Sequence, residues 1–340
     1  MKIEVLKIKK KNTFYFFKKY KFQILLTIFI LLISAFFILN SYKYIQVTIE
    51  GILVYGTKVL PTLLPFVFVT KVLSNFDFIY SVCNKFSGVS KFLFNTKSIS
   101  CYIFFMSIIS GYPIGAKLTS EFYEKNLIDS TDAQKILSFC STSGPLFIIG
   151  SVGVGFFHNA LLGITIFVIH VVSSIINGLL YRNYNKKQIN VLIKENENNK
   201  TIKEFSLQEC MYSSIVSVLI VGGFIIIFYV LIQILLDYNL LYPFIRLFEL
   251  LGLENTLSTG LIAGLIEITK GVSILSMSQN VQLSFIIASF LISFSGLSVL
   301  MQATTFLDKT KINKKLYYFQ KFTHALISLI LSILISFLIF

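Results

Sequence analysis

Charge is scarce in this chain. Only 14% of its 340 residues are Asp, Glu, Lys or Arg, and only 16 are acidic. A soluble domain usually carries about a quarter charged residues, so a soluble globular protein is excluded. Tryptophan is absent while Phe, Ile, Lys and Asn abound, a composition typical of an AT-biased genome. The only cysteines are Cys83, Cys101, Cys140 and Cys210, and none stands in a C-x-x-C pair. Neither a disulfide framework nor a zinc site is indicated. The three histidines, His158, His170 and His324, stand singly without metal-ligand spacing; membrane packing or an interface position suits each better.

Catalytic motifs are missing too. "GYPIGAK" lacks the G-x-x-x-x-G-K-[ST] spacing of a P-loop. "GYP" is not the sequence of a potassium filter. No Ser-His-Asp or H-E-x-x-H pattern occurs, and no base is placed beside Ser110 or Ser143, as a nucleophile would need. The chain is read as a non-enzyme with no cofactor and no metal.

What is present is oil in long runs. Hydrophobic residues make up 55% of the chain, and its mean hydropathy is +0.78. Many apolar runs reach the length of about 20 residues needed to cross a bilayer. The net charge of +14 invites a nucleic-acid reading, but its location argues against one. Lysines gather in "MKIEVLKIKKKNTFYFFKKYK", around "YRNYNKK" and in "DKTKINKK", each beside an apolar run. That is the pattern of cytoplasmic loops under the positive-inside rule. The basic start and the run from Phe22 to Leu39 resemble a signal peptide, but the apolar stretch is too long and no small-residue cleavage site follows. An uncleaved anchor is expected.

The order of elements then repeats. After residues 1–43, the basic start and anchor, comes a first repeat over 44–181. It contains one crossing (44–73), an interfacial helix (78–95), a glycine-lysine segment (98–124), a segment broken at "CSTSGP" (133–157) and a plain crossing (159–181). The polar stretch 182–205 is the linker. A second repeat over 206–340 has a crossing (213–236), an interfacial helix (240–252), the segment holding "AGLIEITKG" (255–277), a segment broken at "SFSGLS" (282–307) and a last crossing (318–340). Spacing agrees between halves. Gly111 to Lys117 and Gly264 to Lys270 are both 6 positions, and Lys117 to Gly144 and Lys270 to Gly296 are 27 and 26. Asn255 to Ile266 is too short to span but suits one arm of a re-entrant hairpin. If both glycine-lysine segments are hairpins, each repeat crosses three times and the second copy is inverted. The expected fold is therefore an all-α polytopic membrane protein: an inverted-topology repeat with two re-entrant helical hairpins, broken transmembrane helices and one extra N-terminal helix, seven crossings in all. With the N-terminus cytoplasmic, Lys85, Lys91, Lys97, Lys125, Lys135, Arg182, Lys186, Lys187, Lys309, Lys311, Lys314 and Lys315 fall inside. Only Lys43, Lys58, "FFHNA" and Arg246 fall near the outside.

Inverted repeats with discontinuous helices characterise secondary transporters, and irregular backbone at membrane depth needs protein or a water-filled cavity around it. Ser110, Gly111, Tyr112, Pro113, Gly115 and Lys117, with Ser141, Thr142, Ser143, Gly144 and Pro145, would form one half of a solute site. Glu267, Thr269 and Lys270, with Ser293, Ser295, Gly296, Ser298 and Gln302, would form the other. Half-helices starting at the breaks direct positive dipole ends inward, and Lys117 and Lys270 add positive charge. A charge at the bilayer centre costs on the order of 2.5–3.5 kcal/mol, so these groups need water, partners or a ligand. The summed field suits an anionic solute, with Glu267 pairing a lysine or carrying a proton. Blander alternatives stand beside this. Lys117 and Lys270 would snorkel if their segments end at the interface. Glu267 and Lys270 have the i,i+3 spacing of a helix-surface ion pair. "SGP" and "FSG" suit close helix contacts.

At these residues the chain resembles a known family. "SGYPIGAK" followed by "LSFCSTSGPLFIIGSVGVGFF", with "GLIEITKG" and "SFSGLSVLMQ" in the second half, is similar to the YlbJ-type (stage V) sporulation integral membrane proteins. These belong to the nucleoside-recognition, or Gate-domain, superfamily, and the likeness runs over nearly all of residues 44–340. It implies a multi-pass membrane protein that moves dipicolinic acid from the mother cell across the outer forespore membrane. Alternatives are a nucleoside-type carrier and a non-transporting membrane scaffold. The implied partners are the bilayer, the anionic solute, and either further copies of the chain or other sporulation membrane proteins. The family commonly has an Asn pair where this chain has Ser141 and Thr142, and a polar residue near Leu300.

Overall fold

The structure is a computed structural model. It describes residues 2–73, 75–76, 82, 84–185, 206–308 and 310–340, with backbone alone for residues 2–19, Phe22, Lys58 and Thr62. Cys83, Lys186, Lys187, Lys309, most of the expected linker and the first part of the expected 78–95 helix lie outside the described residues. Every regular element among the described residues is helical.

In chain order they are α1 (Lys2–Leu39), α2 (Ser41–Val54), a π-helical turn (Tyr55–Val59), α3 (Leu60–Leu73), α4 (Ser87–Phe94), α5 (Ile99–Ser110), α6 (Ile114–Glu124) and α7 (Ser130–Cys140). A longer π-helix (Leu146–Phe156) follows, then α8 (Ala160–Tyr181), α9 (Leu207–Asp237), α10 (Tyr242–Leu250), α11 (Asn255–Ile266) and α12 (Ile268–Leu275). The chain ends with α13 (Val281–Phe294), α14 (Gly296–Leu307) and α15 (Lys314–Ile339). Many helix starts are written in the sequence. Asp129, Asn159, Ser206, Asn280 and Asn313 each accept a backbone N–H from the first turn of the helix they precede, the capping that short polar side chains provide.

Among the described residues, Ala160–Tyr181, Leu207–Asp237, Val281–Leu307 and Lys314–Ile339 are each long and apolar enough to cross a membrane, and up to six spans result if bent pairs are counted. Large apolar side chains along them face outward, among them Leu219, Ile227, Leu334 and Phe337. This is an all-α polytopic membrane protein. The expected seven crossings count 44–73 and 133–157 as one interrupted crossing each; helix runs from Ser41 to Leu73 through the π turn. α1 and α2 meet at a 105° bend. The 133–157 stretch divides at Ser141–Pro145 into two pieces of 11 residues each, and neither piece spans alone.

Both glycine-lysine segments fold back on themselves. In the first, a Cβ on Gly115 would lie 3.1 Å from the Cβ of Ser107, and the rings of Tyr102 and Phe122 meet edge to face at 5.9 Å. Residues on either side of positions 111–112 are thus paired, so α5 and α6 are the arms of a hairpin. In the second, a Cβ on Gly271 would lie 2.2 Å from the Cα of Gly264, and one on Gly260 would lie 2.7 Å from Leu275. α11 and α12 are therefore a hairpin turning at Glu267. Each is surrounded by protein. The first packs in one hydrophobic cluster with Val218, Val221 and Ile225 of α9 and Leu300, Ala303 and Leu307 of α14. The second packs with Ile148 and Val152 of the longer π-helix and with Ile166 and Ile169 of α8.

The long helices pair antiparallel. Along α9, Val218 meets Tyr55 through a hydrogen bond (3.0 Å), the Gly51 position faces Tyr229, and Asp237 holds Lys43 at 2.6 Å. α2–α3 and α9 therefore run in opposite senses. Along α15, Gln320 meets Asn177 and His324 meets His170 and Ser173, so α8 and α15 are antiparallel as well. α9 also measures where the hairpins sit. Lys117 of the first touches Ser217, and Lys270 of the second lies over Tyr229. Those positions are 12 residues apart, about 18 Å of helix, so the hairpins flank opposite halves of α9.

Candidate functional site

The four chain breaks meet pairwise. At the first hairpin tip Gly111 has φ +74°, and a Cβ there would lie 2.6 Å from the backbone nitrogen of Gly144. Only glycine allows both this backbone region and this approach. In the second half, a Cβ on Gly296 (φ +68°) would lie 2.9 Å from the carbonyl oxygen of Gly264 and 3.4 Å from that of Ile266. Each hairpin tip thus rests against the break of the next segment. Ser295 shares this turn with positive φ, and the Tyr112–Pro113 bond is cis.

Between the two pairs lies a cavity of about 660 Å³, counting its mouth. Ser110, Gly111, Tyr112, Ser143 and Gly144 line it from the first half; Glu267, Thr269 and Gln302 line it from the second. Its apolar walls include Leu63 and Phe66 of α3, Phe147 of the longer π-helix, and Val221 and Ile225 of α9. Apolar walls with a few convergent polar groups are the usual form of a small-molecule site.

Helix N-termini mark the breaks, and the longer π-helix and α12 place their first residues, Leu146, Phe147, Ile268 and Thr269, on the cavity wall. α6, the longer π-helix and α14 all begin at breaks and have no side-chain cap. α12 is different: Glu267 caps it, its carboxylate accepting from the N–H of Thr269 (3.0 Å) and of Lys270 (2.8 Å). The Glu267 side chain is thus bound to backbone, at 1% exposure.

The two expected lysines take other positions. Lys117 Nζ donates to Ser217 Oγ (2.5 Å) and stands 5.7 Å above the Phe306 ring. Lys270 Nζ lies 4.3 Å from the Tyr229 ring centre. Neither is among the residues lining the cavity. The pairing of Lys117 with Lys270 across a solute is therefore corrected. Both project from the flanks of hairpin arms towards α9, and equal spacing in sequence does not carry a side chain round to the tip. The expected contact of Glu267 with a lysine ammonium is likewise replaced by a cap on backbone.

The remaining candidates shape the site from behind. Gly115 is a contact point: a Cβ there would lie 1.6 Å from the carbonyl oxygen of Cys140. Pro113 and Pro145 precede α6 and the longer π-helix. The Thr142 and Ser107 hydroxyls share a 3.1 Å hydrogen bond. Ser298 accepts from Gln302 (3.3 Å). Ser141 bonds the Tyr317 hydroxyl at 2.9 Å, and Ser293 bonds His170.

A buried polar cluster behind Tyr112 is the feature that motif reading missed. Lys321, 1% exposed, donates to the Tyr112 hydroxyl (2.7 Å), the Ser141 carbonyl (2.9 Å) and His324 Nδ1 (3.4 Å). The Tyr112 hydroxyl in turn donates to the Ile292 carbonyl (3.1 Å). His324 Nε2 faces Ser173 Oγ and the His170 carbonyl at 3.0 and 3.2 Å. His170 Nε2 accepts the Ser143 N–H (2.8 Å), which leaves Nδ1 to donate to Ser293 Oγ (2.9 Å). The histidines read as isolated packing residues are thus 4.9 Å apart, centre to centre, and hold the breaks of both halves. A signal for them exists in the sequence. Tyr317, Gln320, Lys321, His324, Ser328, Ser332 and Ser336 form one polar helical stripe on α15, and His170, Ser173, Ser174 and Asn177 form another on α8.

At the edge of this region, Asp132 sits in the first turn of α7, ahead of the apolar stretch. Burial, with Asp129 close by, pushes its carboxyl up to about 6.

No protein-family model matches the chain, and no solved structure matches it. The chain is 29% identical over 329 residues to the sporulation integral membrane protein YlbJ of Bacillus subtilis (strain 168), covering 87% of this chain and 78% of that protein. At that coverage the similarity takes in most of the chain, and it makes the chain similar to a sporulation integral membrane protein.

Proposed function

We propose that this chain is a membrane carrier or facilitator for a small planar anion, with dipicolinate as the solute, acting during sporulation at the outer forespore membrane. The observation that supports this reading is the convergence of four interrupted helices on one cavity. The uncapped N-terminus of the longer π-helix supplies a positive dipole end there, and apolar walls with Tyr112, Phe66 and Phe147 suit a flat ring. On this reading the two halves are inverted copies with a cytoplasmic N-terminus, of Gate-domain type, and their opposed hairpins alternate access to the centre. The test is uptake into vesicles that contain this protein alone. Dipicolinate should enter faster than into protein-free vesicles, and faster than nucleosides.

One observation favours a second reading. No lysine among the described residues lines the cavity, while the Gln302 amide and the Ser110 and Thr269 hydroxyls suit a neutral, hydrogen-bonding ring. Preferential entry of nucleosides would establish a nucleoside-type carrier instead. Entry of neither solute would overturn transport by the chain alone and leave a membrane scaffold.

A further inference from the structure

The cavity lies one side chain away from a buried lysine. Lys321 Nζ has three hydrogen-bond acceptors: the Tyr112 hydroxyl, the Ser141 carbonyl and His324 Nδ1. An ammonium has three donors and no acceptor, so the nest matches one. All three acceptors are formally neutral, and among the described residues Lys321 makes no ion pair. A buried charge without a counter-charge is costly. Of its partners, Tyr112 alone also lines the cavity. Lys321 Nζ is 4.7 Å from the Tyr112 ring centre, so the ring stands as a partition between cation and cavity. The other two partners are fixed: Ser141 offers backbone, and His324 is anchored to α8 through Ser173 and the His170 carbonyl.

We propose that Lys321 is the cation that receives a carboxylate of the solute, and that Tyr112 is the exchangeable partner that holds its place when the site is empty. The inference rests on the carrier reading above and names the charge which that reading otherwise lacks. On binding, the tyrosine hydroxyl leaves Lys321 and a carboxylate oxygen takes over its proton donor. A charge-assisted bond then replaces a bond to a neutral hydroxyl. The ligand chemistry so selected is a carboxylate on a flat ring.

The experiment compares two probes of one shape on the purified full chain in detergent: dipicolinate, and its neutral diamide, pyridine-2,6-dicarboxamide. Binding is followed by calorimetry. The parent should prefer dipicolinate. Lys321→Gln keeps a donor for Ser141 but removes the charge. It should weaken dipicolinate binding about ten- to a hundredfold, the range for a hydrogen bond to a charged group, with the diamide little changed. Lys321→Met should do the same, and Lys97→Met, whose amine holds the Leu127 carbonyl, should not. Tyr112→Phe should bind dipicolinate at least as tightly as the parent, since the competing hydroxyl is gone. Parental dipicolinate affinity in Lys321→Gln overturns the assignment and leaves the carrier reading standing. Equal affinity of the parent for both probes does the same. A parent that binds neither probe overturns the carrier reading, and the assignment falls with it. Weaker binding in Tyr112→Phe overturns the exchange by making the hydroxyl itself a ligand.

Discussion

Gly115→Ala tests whether the first hairpin is seated as described. A Cβ at this position would lie 1.6 Å from the carbonyl oxygen of Cys140 and 2.7 Å from its carbon. An ordinary carbon–oxygen contact is roughly 3.3 Å, near the lower end of weak C–H···O contacts. The two backbones would therefore have to part by well over 1 Å, and both are main chain, so no side-chain rotation relieves the overlap. Overpacking typically costs about 1–3 kcal/mol and occasionally more; a backbone clash this deep belongs at or beyond the upper end. Helix propensity acts the other way but supplies only about 1 kcal/mol. The net expectation is a loss of at least about 2 kcal/mol. The comparison is Gly223→Ala in α9, where a new Cβ meets nothing within 4 Å and the propensity gain should stand alone. Thermal unfolding of both variants and the parent, followed by retention of monodisperse protein in one detergent, reads the difference. Gly115→Ala with parental stability would refute the contact between α6 and the end of α7, and with it the seating of the hairpin tip.

Three further outcomes are expected. Asp132 has a carboxyl raised from 3.8 to about 6, so the fold favours its protonated form; below about pH 4 both folded and unfolded chains hold the proton, and the penalty grows as pH rises towards 6 and is then constant at up to about 3 kcal/mol. Asp132→Asn should therefore melt higher than the parent at pH 7.5 and level with it at pH 4, and a gap that shrinks with rising pH would contradict this. Glu267→Ala removes the cap on two N–H groups of α12 and should cost about 1–2 kcal/mol, with Glu267→Gln intermediate; melting curves of the pair decide it. Leu251→Cys and Lys311→Cys, both at exposed positions, should be labelled by an impermeant maleimide from opposite faces of the membrane, and labelling from one face would refute the inverted arrangement.

Much of the architecture was legible because breaks in oily runs are conspicuous. Gly111, Pro113, Gly144, Pro145 and Gly296 interrupt segments that would otherwise continue as helix, and each does mark a break. Asn255 to Ile266, too short to span, is one arm of a hairpin. The two π-helical stretches left no mark in the apolar sequence around them. The lysines misled for a definite reason. Lys117 and Lys270 occupy equivalent positions on their hairpins, but a helical side chain's direction depends on its place around the turn, and these face α9. Lys321, His170 and His324 were passed over because each sits alone within an apolar run. Their meaning lies in the i, i+3 and i, i+4 stripes on α15 and α8, which emerge only when polar residues inside a crossing are counted by face.

The seam between α7, α8 and α15 has a mechanical consequence. Asn177 donates to the carbonyls of Ser138 (2.6 Å) and Gln320 (3.0 Å) and accepts from Thr323 (2.7 Å). Gln134 and Gln320 bond side chain to side chain (3.1 Å), and Gln320 returns a bond to the Gln134 carbonyl (3.0 Å). Sliding α15 along α8 would strand several of these groups away from water at about 1–3 kcal/mol each. The opposite flank is tied at scattered points, among them Tyr55 to Val218 and Lys43 to Asp237, while α2 and α3 join through a π turn and α3 carries Pro65 within its length. One side of the molecule is thus bolted and the other is sprung. Motion that opens the central chamber is cheapest when α8 and α15 stay still as an axle and the sprung flank swings about them.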